Sequence, residues 1–121
     1  MFKTDYRMEV KKRDWLLHVR LYGEIDHHSA APLREELDRL ILKERPARLV
    51  LDLSLVEFMD SAGLGLLMGR LRMMREVGGV LALARPTERV LKILRLAGLE
   101  RFMEIDVTHA KGGYLDGRKY L

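Results

Sequence analysis

The chain of 121 residues has no cysteine, only three prolines and few aromatic residues (7%). The absence of cysteine excludes disulfide bonds and thiolate-bound metal sites. No segment approaches the roughly 18 apolar residues of a membrane-spanning helix, and the first residues lack the apolar core of a signal peptide. With 48% hydrophobic residues, the chain is long enough for one hydrophobic core. We therefore expect a single cytoplasmic domain without a membrane partner.

A strong excess of one charge is also missing. The 22 basic and 18 acidic residues give a formal net charge of +4, and the two signs are interspersed. The longest basic run, Lys11 to Arg13, lies between two strand-like segments and is predicted to be a solvated hairpin turn. Few aromatic side chains are available for base stacking. These features predict that the protein has no nucleic acid partner.

Two kinds of apolar pattern predict the strands. Alternating polar and apolar residues at 2–10 and 15–23 predict an N-terminal hairpin. His18 falls on the polar side of its second strand and is expected to face solvent. Continuous apolar runs at 49–53 and 80–84 predict buried central strands, and residues 102–105 predict a last edge strand.

Three segments have helical periodicity. The first has an apolar stripe of Leu33, Leu37, Leu40 and Ile41. The second follows Ser61 and ends at Gly78-Gly79. The third begins at Pro86-Thr87 and ends at Gly98, with Arg85 and other basic residues expected on its solvated side. Its inward residues are expected to be Val90, Leu91, Leu94 and Ala97.

This order of elements predicts an α/β fold with a mixed sheet of four to five strands, an N-terminal hairpin and three to four helices. We expect residues 1–105 to form the domain and residues 106–121 a tail with room for one short helix. The strand-to-helix loops at 24–29, 57–61 and 85–87 should meet at one edge of the sheet, where a site is expected.

The second helix carries an unusual second face. Its core stripe is predicted to be Leu64, Leu67, Met68, Leu71 and Met74. Small and apolar residues lie opposite, where a solvated helix would carry charge: Gly65, Leu66, Gly69, Met73 and Val77. Close packing against a neighbouring helix and a docking surface for another protein both explain this pattern.

Ser61 stands where the chain enters the second helix, and two functions suit that position. Its hydroxyl can cap the helix N-terminus, or it can accept a phosphate where free N–H groups and the helix dipole favour an anion. Spacing alone favours the cap. The loop Asp26-His27-His28-Ser29 is interpreted as a turn and cap, because adjacent histidines seldom converge on one metal ion.

Three other functions find little support in the sequence. Asp52 in a central strand resembles a receiver phospho-acceptor, but the first strand leads into Lys11 to Arg13 and not into the acidic pair that holds Mg²⁺. Ser61 is not in a Gly-x-Ser-x-Gly turn, although His27 or His28 could reach it from the same sheet edge, as a serine hydrolase would require. Gly63 to Gly65 lacks the lysine and spacing of a phosphate-binding loop. We expect no catalytic residue, metal or cofactor.

Three segments resemble the family of anti-sigma factor antagonists, the STAS domain family, and most closely its sporulation branch. The segments are Phe58 to Gly65, Gly23 to Ser29 and Leu96 to Leu99, and the motif in the first is fairly specific when it follows a buried strand. The likeness extends over about residues 5 to 105. Relatives often have a second serine where this chain has Ala62, which leaves Ser61 as the only hydroxyl of the motif.

The resemblance implies a switch between partners. A partner that is both anti-sigma factor and serine kinase would phosphorylate Ser61, using its own ATP and Mg²⁺. The unphosphorylated chain, a monomer when free, would bind this partner and release a sigma factor, and a PP2C-type phosphatase would reset it. A stress-response circuit of the same kind is the alternative. Partner binding is assigned to Asp26, Asp60, Ser61, Ala62, Gly63, Gly65, Leu66, Gly69 and Met73.

Overall fold

The computed structural model describes residues 7–107, which form one five-stranded mixed sheet and three α-helices. The elements are β1 Met8–Arg13, β2 Leu16–Ile25, α1 Ala30–Glu44, β3 Arg48–Met59, α2 Ser61–Glu76, β4 Val80–Ala84, α3 Glu88–Leu96, a 3-10 turn Leu99–Arg101 and β5 Glu104–Asp106. The sheet order is β1-β2-β3-β4-β5. Only β1 and β2 pair antiparallel. The predicted α/β fold with an N-terminal hairpin is confirmed; the expected strand residues 2–6 and the tail from residue 108 onward lie outside the described residues.

All three helices pack on one face of the sheet, the helical face. The crossovers from β2 to β5 all advance in the same direction, and right-handed connections therefore place the helices on the same side. Leu17, Leu51 and Leu83 point from the sheet into this core. The predicted stripe of α1 is buried against them. Within residues 7–107, no helix is long and apolar enough to cross a membrane.

The opposite side of the sheet, the second face, holds a small apolar cluster of Leu16, Val50 and Ala84. His18 lies on this face and is 8% exposed, so the prediction that it faces solvent is wrong. Its Nε2 lies 3.6 Å from Oδ2 of Asp52, which is fully buried. The alternation of the strand placed His18 on the correct side, but that side is covered.

The prediction that Arg85 lies on the solvated side of the third helix is also wrong. Its guanidinium donates to Asp52 Oδ2 at 2.8 Å and to Ser54 Oγ at 3.3 Å, so it is buried on the second face and not solvated beside α3. Arg20 donates to the same carboxylate oxygen at 3.2 Å. A buried carboxylate needs such partners, because an unpaired charge is costly to remove from water.

Burial and charge together set the protonation of this network. Burial lowers the pKa of His18 to about 4, although the Asp52 carboxylate opposes that shift. Burial alone would raise the pKa of Asp52, but hydrogen bonds from the Ser54 N–H and from Arg85 outweigh it and lower the pKa. His18 is therefore neutral and Asp52 ionised at neutral pH.

Several boundaries differ from the sequence prediction. The basic run Lys11 to Arg13 belongs to β1, and Asp14 with its positive φ makes the turn. Strand β3 continues past Leu53 to Met59, because β2 also extends and Ile25 pairs with Met59. The third helix begins as predicted, with Thr87 Oγ1 accepting the Val90 N–H. Ala97 is exposed instead of inward, since α3 ends one residue earlier.

Candidate functional site

The first two strand-to-helix loops meet at the carboxyl end of β2 and β3, as predicted. The backbone N–H of Asp60 donates to the carbonyl of Ile25 at 3.3 Å. His27 Nδ1 lies 3.9 Å from Asp60 Oδ2. The loop that carries Asp26 is therefore a neighbour of Ser61, and the two loops form one continuous surface.

Asp60, and not Ser61, caps helix α2. Its carboxylate Oδ1 accepts the N–H of Ala62 at 2.8 Å and of Gly63 at 3.3 Å. Asp60 has extended backbone geometry, as an N-cap residue does. The interpretation of Ser61 as the cap is therefore wrong: Ser61 is the first helical residue, and its side chain is exposed.

This cap has a chemical consequence. The Ala62 and Gly63 N–H groups are the donors that a helix N-terminus offers to an anion, and here a carboxylate already occupies them. They are not available as an oxyanion hole for a nucleophilic Ser61. His27 is exposed, and its ring packs at a tilt against the His28 ring, with ring centroids 3.9 Å apart. The arrangement therefore gives no support to a serine hydrolase.

Gly63 is a structural residue of the site and not part of its surface. A β-carbon on Gly63 would lie 2.7 Å from the Ile25 carbonyl oxygen and 2.8 Å from Cβ of Met59. Such distances are too short for any side chain, so glycine lets α2 start directly against the end of β2. The assignment of Gly63 to partner binding is wrong in this sense, because the residue is buried.

Helix α2 presents a face of small and partly apolar residues beside Ser61. We define the glycine face by the exposed or half-buried residues Ser61, Leu64, Gly65, Met68, Gly69 and Arg72. A β-carbon on Gly65 or Gly69 would meet nothing within 4 Å. Neither glycine is needed for packing within the described chain, which removes the explanation that they fit a neighbouring helix.

The exposed side of α2 is rotated about the helix axis relative to the docking face that the sequence predicted. Leu66 is 4% exposed and belongs to the core, so its assignment to partner binding is wrong. Leu64 and Met68, predicted as core, are half-buried and border the glycines. Met73 is half-buried at the flank of the face beside Gly69. The sequence periodicity did not decide between Leu64 and Leu66 as the core residue, because Gly65 and Gly69 have no side chains that would mark one side of the helix as polar.

Asp26 forms the turn that leads into α1. Its carboxylate Oδ1 accepts the N–H groups of His28 at 2.9 Å and Ser29 at 3.1 Å. These bonds lower the pKa of Asp26, the Ser29 N–H having the largest effect. Ser29 is buried, and its hydroxyl donates to the Glu24 carbonyl at 2.8 Å. The predicted turn role of Asp26 is confirmed, and its carboxylate adds negative charge near Asp60.

The third loop contributes to the second face more than to this site. Arg85 turns toward Asp52, as described above. Arg89 in the first turn of α3 places its guanidinium carbon 5.1 Å from the centre of the Phe58 ring, a cation–π distance. The predicted meeting of three loops is therefore true of the first two, with α3 touching the end of β3.

The sequence reasoning did not predict an ion pair between a buried arginine and a half-buried aspartate. Arg70 of α2 is buried between helices, and its Nε lies 3.1 Å from Asp38 Oδ1 of α1. Burial lowers the pKa of Arg70, while Asp38 opposes the shift. The sequence does contain a signal for the burial of Arg70. This residue lies three positions after Leu67 and four before Met74, and this spacing places it on the core side of the helix with both of them. In the part of the chain that the structure describes, no group of three or more His, Asp or Glu residues is arranged to hold a metal ion.

Comparison with known proteins agrees with this fold. The STAS domain family matches residues 7–112. The chain is 34% identical to an anti-sigma F factor antagonist of Paenibacillus polymyxa over 82% of this chain and 85% of the relative. It is 36% identical to an anti-sigma-B factor antagonist of Bacillus subtilis over 88% of this chain and 94% of the relative.

The structure also resembles the Bacillus cell fate determinant SpoIIAA in its phosphorylated form, with a TM-score of 0.67 and 25% identity over 90% of this chain and 96% of that one. The names of these relatives describe regulatory proteins, which confirms the prediction that this chain is not an enzyme. The chain belongs to the STAS domain family.

Proposed function

We propose that this protein is an anti-sigma factor antagonist whose partner binding is switched by phosphorylation of Ser61. In its unphosphorylated form it binds an anti-sigma factor that is also a serine kinase, and it thereby releases the sigma factor. A PP2C-type phosphatase removes the phosphate and resets the switch. The protein acts in the cytoplasm and is a monomer when free.

The single observation that supports this proposal most is that Asp60 caps helix α2 while the adjacent Ser61 is exposed. Since Asp60 caps the helix, the exposed Ser61 hydroxyl is not required for folding and is accessible to a kinase. The helix start remains stable whether or not Ser61 is modified. Modification can therefore change the surface without unfolding the domain.

The electrostatics of the site give phosphorylation a strong effect on binding. A phosphate adds about −1.5 to −2 charge at pH 7, and the helix N–H groups that would stabilise it are already bonded to Asp60. The new charge would lie beside the Asp60 carboxylate and near Asp26. A partner that covers this surface must desolvate like charges together, and a penalty of about 3 kcal/mol would weaken affinity about 150-fold.

The glycine face supplies the apolar part of the proposed interface. Gly65 and Gly69 leave open space that a partner's side chains can fill. Leu64, Met68 and Met73 border this space and are half-buried. An interface of this kind has an apolar centre next to a charged switch, and the centre provides affinity while the switch controls it.

The comparisons support two alternative regulatory circuits, which differ in the sigma factor that is released. We propose a sporulation sigma factor as the target, since a similar protein is an anti-sigma F factor antagonist and a similar structure is that of a cell fate determinant in a phosphorylated form. A second candidate is a stress-response circuit, and the 36% identity to an anti-sigma-B factor antagonist favours it. Both circuits would use the same Ser61 switch.

Intact-mass measurement tests the proposal. The protein and its Ser61→Ala variant would each be incubated with ATP, Mg²⁺ and the anti-sigma kinase of either circuit. We expect a gain of one phosphate in the unmodified protein and none in the variant. No gain in either protein, with the kinase active on a control substrate, would contradict the proposed phosphorylation by that kinase.

A further inference from the structure

The two oxygens of the Asp60 carboxylate have different neighbours. Oδ1 accepts the N–H groups of Ala62 and Gly63, which holds the carboxylate at the start of α2. Oδ2 lies 3.9 Å from Nδ1 of His27, within the distance of an ion pair. Ser61 follows Asp60 directly, and consecutive α-carbons are about 3.8 Å apart. The His27 ring is therefore adjacent to the junction that presents the Ser61 hydroxyl.

A phosphate at this junction needs its cation from a side chain. The N–H groups that a helix N-terminus offers to an anion are bonded to Asp60. The carboxylates of Asp26 and Asp60 add negative charge to the site. An imidazole can take up a proton near neutral pH, and a neighbouring anion favours its protonated form. His27 has both the chemistry and the position for this role.

We propose that His27 is the cation that binds a phosphate on Ser61, with the protonated imidazole held between the Asp60 carboxylate and a phosphate oxygen. This inference rests on the proposed phosphorylation of Ser61. A protonated imidazole has an N–H donor on each ring nitrogen, so one can approach Asp60 while the other donates to the phosphate. The ring takes its proton from solvent, and no covalent bond forms.

The exposure of the His27 ring suits such a contact. Its side chain is 73% exposed, so a phosphate can approach without any change in the core. The His28 ring packs at a tilt against it, with centroids 3.9 Å apart. The N–H of Ser29 lowers the pKa of Asp26 most, and positive charge on His28 and His27 adds smaller effects in the same direction. The loop thus places both imidazoles near carboxylates.

Arg89 of α3 is the competing cation. Its guanidinium carbon lies 5.1 Å from the centre of the Phe58 ring, and Phe58 precedes Asp60 by two residues. The geometry favours His27, because its ring nitrogen approaches the carboxylate of Asp60 itself, whereas Arg89 lies over an aromatic ring. Two further exposed charges near the ends of β2 and β3 are carboxylates, which would repel a phosphate: Glu24 and Glu57.

Phosphorus NMR tests the proposal on the full chain with phosphoserine incorporated at position 61 during translation, without any kinase. The phosphate signal would be followed as a function of pH. We expect the midpoint of the second phosphate ionisation to lie about 0.3–0.5 pH unit higher in His27→Gln than in the chain with His27, since the protonated ring favours the dianion. His27→Lys retains a cation and should retain the lower midpoint.

His28→Gln and Arg89→Gln are the matched controls. Each removes one group that can carry positive charge at this end of the sheet, and each should move the midpoint less than His27→Gln does. Circular dichroism would establish that all variants are folded, as expected for changes at exposed side chains.

Three results would overturn the proposal. The first is the same midpoint in His27→Gln and in the chain with His27. The second is a larger change from His28→Gln or Arg89→Gln than from His27→Gln. The third is a midpoint in His27→Lys as high as in His27→Gln. Because phosphoserine is introduced without the kinase, a failure of the kinase to modify Ser61 would contradict the proposed function and not this contact.

Discussion

The Asp60 carboxylate accepts the backbone N–H of Ala62 at 2.8 Å and thereby caps the helix that Ser61 begins. One residue stabilises the helix start, and the next presents a hydroxyl to solvent. A regulatory modification placed on the capping residue itself would have changed folding as well as binding. The separation of these two tasks in adjacent residues allows the proposed switch to act at the interface alone.

The charge of Asp60 can be separated from its capping function. In Asp60→Asn the amide oxygen still accepts the helix N–H groups, since Asn is as good a cap as Asp, and stability should change by less than about 1 kcal/mol. Binding of the anti-sigma partner would be measured in a double-mutant cycle with Ser61→Asp. We expect Ser61→Asp to weaken binding less in the Asp60→Asn background, because one of the like charges is gone.

The Asp60→Ala variant is the control for the cap. It removes both the charge and the hydrogen-bond acceptor, so it should cost about 1 kcal/mol of stability. Equal penalties for Ser61→Asp with and without the Asp60 charge would show that repulsion by this carboxylate does not contribute to the switch.

The glycines of α2 should respond to alanine in opposite ways. Gly65→Ala and Gly69→Ala place a methyl group in open space, and each should raise the free energy of unfolding by about 0.5–1 kcal/mol through helix propensity. The same methyl groups would obstruct a partner on the glycine face and weaken its binding by about 10- to 100-fold. Urea unfolding and titration calorimetry would measure the two effects.

Gly63→Ala is the matched contrast, since its methyl group would meet the Ile25 carbonyl oxygen and Met59. Backbone cannot move aside cheaply, and we expect a loss of about 1–3 kcal/mol of stability. If Gly65→Ala and Gly69→Ala were stabilised but bound the partner normally, the glycine face would not be the docking surface.

The stability of the protein should depend on pH through His18. The pKa of His18 is lowered to about 4 in the folded protein and is about 6.5 in the unfolded chain. The unfolded state therefore binds more protons between these values, and stability falls as the pH falls through this window. Between pH 7 and 5.5 the loss from His18 should be about 1 kcal/mol.

The His18→Gln variant tests this assignment by urea unfolding at the two pH values. It should lose about 1 kcal/mol less than the unmodified protein over this interval. The carboxylates whose pKa values are lowered, Asp26, Glu44 and Asp52, titrate mainly below it. An unchanged pH dependence in the variant would mean that His18 is not the group responsible.

The sequence was sufficient for the order of elements because its strongest signals are local. Alternation predicted the hairpin, the run Leu49 to Leu53 predicted a central strand, and the loops at 24–29 and 57–61 were correctly placed at one edge. The Ser61 region was located for the same reason, since a strand followed by an aspartate, a serine and a helix is a local pattern.

The predictions were wrong where tertiary contacts determine whether a side chain is buried or which residue caps a helix. His18 and Arg85 are polar or charged residues, and the sequence alone suggests that they are solvated. Only their convergence on Asp52 of β3, from β2 and from the loop after β4, shows that they are buried. Leu66 and Leu64 could not be ranked by periodicity, because an α2 stripe shifted by one position fits the sequence almost as well. The carboxylate of Asp60 and the hydroxyl of Ser61 are both good caps, and only the backbone geometry distinguishes them.

The most direct test of the proposed switch is the affinity of the anti-sigma partner for two forms of this protein, one unphosphorylated and one phosphorylated stoichiometrically at Ser61. Titration calorimetry would give both values, and circular dichroism would establish that both forms are folded. The account predicts a loss of affinity on the order of 100-fold upon phosphorylation, with little change in stability. Equal affinities of two folded forms would contradict it.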